Sequence, residues 1–324
     1  MDGEWCSLDE LESLSQLRFL TLYELENVSA APCAANARLG DKKHLIRLSL
    51  FCTSRLENDG LIKEKEGVPE EEQRRIKKVF NELSPPHSID NIIIGGYFGK
   101  QLPTWMMSAS MVPLNNLTYI MFVDLACCTQ LPDGLCQLPN LQFFKVDRAP
   151  CIRRVEAEFL QAAATPFPRL NEMYLLGMVQ WEEWEWEEQV QAMPRLEKLM
   201  LRKCKLRHIP TGVATNARAL KELFLQDIQH LNYLESFSSV VELTMLRIPD
   251  MERITNLPNL QKLTITDCPK LKVLESIPAL ERLILQDYVM EELPKYMRDI
   301  KSKAFAAILQ DMAAIFVSHG TIWS

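Results

Sequence analysis

Residues 196–204, LEKLMLRKC, decide the fold. Leu196, Leu199 and Leu201 stand in the spacing LxxLxL. Alternate residues of a strand point to opposite sides, so the LxL part reads as a short strand. Leu199 and Leu201 then enter an interior together, while Lys198, Met200 and Arg202 face outward. The same pattern, with Ile, Met, Phe or Val substituting, recurs along almost the whole chain. Its first apolar positions are Leu17, Leu45, Ile89, Leu117, Leu141, Leu170, Leu196, Leu220, Val240, Leu260 and Leu280.

The steps between these eleven copies are 28, 44, 28, 24, 29, 26, 24, 20, 20 and 20 residues. All but the second lie in the 20–29 range of leucine-rich repeats. The expected fold is therefore α/β: a leucine-rich-repeat solenoid, or horseshoe, with a concave parallel β-sheet and an irregular, short-helical convex side. Such an array grows by stacking, so 324 residues can form one body where length alone would suggest two. Residues 1–13 read as a lead-in, 14–298 as the repeat domain and 299–324 as a C-terminal amphipathic helix. Segments such as CPKLKVLESIPAL (268–280) and CKLRHIP (204–210) supply the convex return. Cys204 and Cys268 each fall three residues after the second strand leucine, where the repeat accepts Asn or Cys, and read as interior packing thiols.

The 44-residue step holds an insertion at 53–88. Residues 54–68 are charged and poor in large apolar groups, and read as a mobile loop. A helix is expected over about 69–83, with Pro69 at its start, three glutamates in its first turn and Ile76, Val79, Phe80 and Leu83 at helical spacing. After Leu293 and Pro294 the repeat stops. Phe305, Ile308, Leu309, Met312, Ile315 and Phe316 then fall on one side of an expected helix that would cap the stack. Truncation or alternative splicing would leave the same pattern, and its apolar face could also take a partner.

Composition narrows the function. The net charge of −7 argues against general attraction to nucleic acid, and no continuous apolar run reaches the roughly 20 residues of a membrane span. The acidic start, MDGEWCSLDELESL, lacks the basic and apolar regions of a secretory leader. Nine scattered cysteines without a CxxC pair read as reduced thiols, so the cytoplasm, with the nucleus as an alternative, is the expected location. The sequons at Asn27 and Asn116 then have no route to glycosylation. Five dispersed histidines come without HExxH, GxSxG or a kinase-like set, so no catalytic residue, metal ligand or cofactor is assigned.

The candidate binding residues are those expected on the concave face. Tyr174, Met200, Phe224, Thr244, Thr264 and Ile284 form its middle row, flanked by Lys198, Arg202, Glu222, Gln226, Glu242, Lys262, Arg282 and Gln286. A row of apolar and aromatic residues facing water tends to mark an interaction site. A second candidate is WEEWEWEE (181–188), where Glu182, Glu183, Glu185, Glu187 and Glu188 surround Trp181, Trp184 and Trp186. It reads either as a loop anchored by tryptophan or as an acidic dock for a basic partner. Trp105, in LPTWM, reads as a packing residue.

Several segments together resemble the repeat region of plant intracellular immune receptors, the nucleotide-binding leucine-rich-repeat class with an N-terminal coiled coil. They are LSQLRFLTLYELENV (14–28), RRIKKVFNELSPPHSIDNIIIGGYFGKQLPTWM (74–106), LPDGLCQLPNLQFFKV (131–146) and FPRLNEMYLLGMVQWEEW (167–184), in that family's order. The resemblance covers roughly 10–298. It implies a role in plant defence, with a pathogen effector, a guarded host protein or a nucleotide-binding domain as partner. The phosphate loop G-x-x-x-x-G-K-[ST] is absent here, so nucleotide binding does not carry over. Two other functional classes would each require features of their own. A ubiquitin-ligase substrate adaptor would need an N-terminal helix bundle, for which residues 1–13 are too short, and an extracellular receptor would need a leader and more regular repeats.

Overall fold

A computed structural model describes residues 8–28, 31–64, 66–107, 114–161, 163–187, 189–286, 294–298 and 306–310. Its main feature is one parallel sheet of twelve strands laid down in chain order. They are β1 (Phe19–Leu22), β2 (Arg47–Phe51), β3 (Asn91–Gly95), β4 (Tyr119–Val123), β5 (Phe143–Asp147), β6 (Glu172–Leu176), β7 (Lys198–Cys204), β8 (Glu222–Ile228), β9 (Glu242–Leu246), β10 (Lys262–Thr266), β11 (Arg282–Gln286) and β12 (Ala306–Gln310). Each of the first eleven begins two residues after the first apolar position of an LxxLxL copy.

Register explains why the pattern is so strict. Leu199, Leu223, Leu243, Leu263 and Leu283 are direct neighbours on successive strands, as are Leu201, Leu225, Met245, Ile265 and Leu285. All ten are at most 2% exposed. A slip of one residue would turn both columns to solvent, and full burial of each such side chain is worth about 1.5–3 kcal/mol.

A second signature recurs at one register position from β3 to β10, just past the strand end in six of them and at the next-to-last residue of β7 and β8. Gly96, Asp124, Arg148, Gly177, Lys203, Asp227, Arg247 and Asp267 all have positive φ, turning the chain off the sheet at one register position. At Gly96 (φ 64°) a Cβ would lie 2.1 Å from the Cys52 carbonyl oxygen, so glycine is required there for space as well as conformation. Two pairs of neighbouring turns are linked through these side chains. Arg148 meets Asp124 at 2.6 Å, and Arg247 grips both carboxylate oxygens of Asp227 at 2.6 and 2.9 Å.

The convex return closes each coil. Tyr233–Glu235, Arg253–Thr255 and Val273–Glu275 form a small parallel ladder that buries Leu234, Ile254 and Leu274. Elsewhere a proline precedes a short helical turn, as at Pro103, Pro132 and Pro210. Among the described residues all cysteines are free thiols. Cys204 and Cys268 are buried, and desolvation pushes the Cys204 thiol up to about 12.

Within the insertion a helix spans Glu70–Glu82, with Ile76, Val79 and Phe80 fully buried. Arg75 ties it to the first repeat by donating to the carbonyls of Glu26 and Val28 at 2.7 and 2.9 Å. The preceding segment differs from the mobile loop expected of it. Leu56 and Val68 are buried, Leu56 bridges Ile62, and Arg55 lies over the Phe98 ring at 4.9 Å while pairing with Glu64 and Glu72. Phe98 and Glu72 lie outside the segment, so its local composition does not disclose these two anchors.

The C-terminal helix expected over 299–324 also needs correction where the chain is described. Ala306–Gln310 is a strand in parallel register with β11, Ala307 beside Leu283 and Leu309 beside Leu285. A short apolar run fits either period, and the open edge of β11 offers hydrogen-bonding groups that favour the strand. The rest of 299–324 lies outside the described residues.

Candidate functional site

The outward residues of the sheet form three columns, and the strand register fixes their membership. Tyr174, Met200, Phe224, Thr244, Thr264 and Ile284 are successive neighbours in the middle column. Lys198, Glu222, Glu242, Lys262 and Arg282 share the first column, and Arg202, Gln226 and Gln286 the third. The middle-column side chains are half-buried, pressed against one another yet open on the concave side.

The apolar part of this face extends further than the sequence reading carried it. Ile93 and Met121 precede Lys145 and Tyr174 in the middle column, with Tyr119 and Phe143 beside them in the first. Tyr119 and Phe143 stack at 4.4 Å with planes 3° apart, and Phe143 meets Tyr174 at 5.2 Å. Three aromatic rings on β4, β5 and β6 thus make a continuous plate that runs into Met200 and Phe224. The signal for these residues was present, because the LxxLxL rule marks the same outward positions in Leu117–Phe122 and Leu141–Val146.

Charges on the face are largely matched within it. Lys198 meets Glu222 at 2.8 Å, Lys262 meets Glu242 at 3.3 Å and Lys145 meets Asp147 at 2.9 Å. The hydrogen bond to Glu222 raises the Lys198 pKa. The Tyr174 hydroxyl donates to Glu172, and desolvation followed by that bond raises the phenol's pKa. These pairs hold the plate's rim in place.

The acidic segment is built differently. Trp181 and Trp184 are buried, their rings 5.5 Å apart, and Trp181 donates to the Glu183 carbonyl at 2.8 Å. Glu183 pairs with Arg154 and Glu182 with Arg207, both from adjoining repeats, while Glu187 accepts from Gln161 and Gln189. Two of its carboxylates, those of Glu182 and Glu183, thus pair with this chain's own arginines, while Glu187 accepts from neutral amides. Glu188 lies outside the described residues. Trp105 is buried and donates to the Phe80 carbonyl at 2.9 Å, a packing contact between repeat and insertion.

Among the described residues, no cluster of three or more His, Cys, Asp or Glu is arranged to hold a metal, and no helix is long and apolar enough to cross a membrane. A convex cleft of about 200 Å³, lined by Met107, Leu131, Arg154 and Phe159 among others, is smaller than typical small-molecule sites.

Comparison with known proteins agrees with the repeat. Residues 8–149 match the family model of the R13L1/DRL21 leucine-rich repeats. A search of curated proteins gave no match. Among solved structures, the leucine-rich repeat domain of the type III effector XopL is 13% identical, covering 97% of this chain and 93% of its own, with a TM-score of 0.43. The plant peptide hormone receptor RGFR1, solved with RGF2, is 15% identical over 93% of this chain and 49% of its own, with a TM-score of 0.39. A leucine-rich repeat protein from Bacteroides thetaiotaomicron is 13% identical over 82% and 52%, with a TM-score of 0.27. The parallel sheet in strict register, the turn repeated at one register position and the matched repeats establish the chain as a leucine-rich-repeat solenoid.

Proposed function

We propose that this chain is a non-catalytic recognition module in plant defence, acting in the cytoplasm or nucleus. Its partner is a pathogen effector, a guarded host protein or a nucleotide-binding domain that it holds inactive. The observation that carries the reading is the concave plate of Tyr119, Phe143, Tyr174, Met200 and Phe224. Stacked rings and methionine beside water are costly for a scaffold alone, and aromatic residues at the centre of an interface supply much of its binding energy. The R13L1/DRL21 match and the landmark segments support the defence context.

The test compares proteins captured by the wild-type chain and by a Met200→Asp/Phe224→Asp variant from infected and uninfected leaf extracts. Both side chains point outward, so the variant should keep the wild-type circular dichroism and lose the specific set. Retention of the same set by a folded variant would remove the concave face from the function.

A further inference from the structure

The concave face reverses the charge of the molecule that carries it. The chain as a whole has 43 acidic residues against 36 Lys and Arg. At the outward positions of β1 to β11, cations outnumber carboxylates: Arg47, Lys145, Lys198, Arg202, Lys262 and Arg282 stand against Asp147, Glu172, Glu222 and Glu242. Each of those carboxylates has a partner on the face itself. The cations do not.

Arg202 is the telling case. It stands in the third column beside Leu176 and Gln226, two residues along β7 from Met200. It is partly buried, and its Nε is shielded from solvent without a hydrogen-bond acceptor. Among the described residues it has no ion pair. That Nε has lost its hydration without a hydrogen bond in return, a cost that an incoming anion removes. Its planar fork suits a carboxylate, and the apolar plate of Tyr174, Met200 and Phe224 adjoins it.

From this we infer that Arg202 is a specificity residue which receives an aspartate or glutamate carboxylate of a protein partner, and that an apolar side chain of the same segment lies over Met200 and Phe224. The inference rests on the concave-face reading above. Residues two apart on a strand are separated by about 7 Å, so Met200 and Arg202 set that spacing. An extended partner segment meets it with the acidic and apolar residues two positions apart, since those side chains share one face. The partner is thus an acidic, apolar-bearing segment, and a basic one is excluded by the unmatched positive charge.

The experiment selects random linear peptides displayed on phage against the whole chain, then measures the affinity of the recovered peptides for variants checked by near-ultraviolet circular dichroism. The wild type should enrich Asp or Glu two positions from an aromatic or aliphatic residue. Arg202→Gln should weaken those peptides by about 30-fold or more, and Arg202→Lys should retain part of the affinity. Arg202→Glu should select Lys or Arg in the acidic position. Enrichment without an acidic preference, or no enrichment, overturns the inference. So does unchanged affinity in Arg202→Gln; if Met200→Asp then abolishes binding, the concave-face reading survives, and if neither substitution matters both readings fall.

Discussion

Replacing Leu243 by alanine tests the stacking logic where the repeat is most regular. Leu243 is fully buried, in register between Leu223 and Leu263 on 20-residue coils. Removing three buried carbons costs about 2.4 kcal/mol in transfer alone. The void is walled by neighbouring coils that cannot close independently, so the total should reach about 3–4 kcal/mol. Leu20 occupies the same register position on β1, pairs with one coil among the described residues and is only half-buried. Leu20→Ala should therefore cost about 1 kcal/mol. Urea unfolding followed by tryptophan fluorescence and far-ultraviolet circular dichroism reads both variants. A Leu243→Ala cost below about 1 kcal/mol, or a Leu20→Ala cost matching it, would refute burial by stacked neighbours as the source of stability.

Three further outcomes are expected. Gly96→Ala should lower the unfolding midpoint far more than Gly67→Ala, because both sites have positive φ but only Gly96 meets backbone within 2.1 Å. Arg247 lowers the Asp227 carboxyl pKa below its ordinary 3.8. Stability from a depressed carboxyl is present above the unfolded-state pKa and lost as pH falls through the folded one, so the difference between wild type and Asp227→Asn, measured by thermal melting, should shrink below about pH 4. The Cys204 thiol, buried and raised to about 12, should resist iodoacetamide in the folded chain and react once urea unfolds it, as read by peptide mass spectrometry.

Much of the fold was legible because it depends on a local rule repeated many times. Leu199 and Leu201 in LEKLMLRKC predict their own burial, and the same reading places Met200 on the outer face and aligns it with Phe224 and Thr244. What escaped depends on contacts between segments far apart in sequence. Arg55 is held by Phe98 and Glu72, and nothing within 54–68 announces that. Ala306–Gln310 carries both periods, and the edge of β11 decides between them. Positive φ at Asp124, Arg148 and Asp227 has no compositional signal of glycine; it becomes visible once register stacks these turns and pairs their side chains. The aromatic plate lay between these cases. Tyr119 and Phe143 could be assigned outward by rule, but their stacking with Tyr174 needed register across steps of 24 and 29 residues.

The central claim is that the concave plate is the surface a partner covers, and hydroxyl-radical footprinting of the chain with its tightest captured partner tests it most directly. Methionine and aromatic side chains report their own solvent contact in that assay. Met121, Tyr174, Met200 and Phe224 should become protected in the complex, while Tyr233, 41% exposed on the convex side, stays reactive. Protection of Tyr233 or Trp186 with Met200 and Phe224 unchanged would contradict the account.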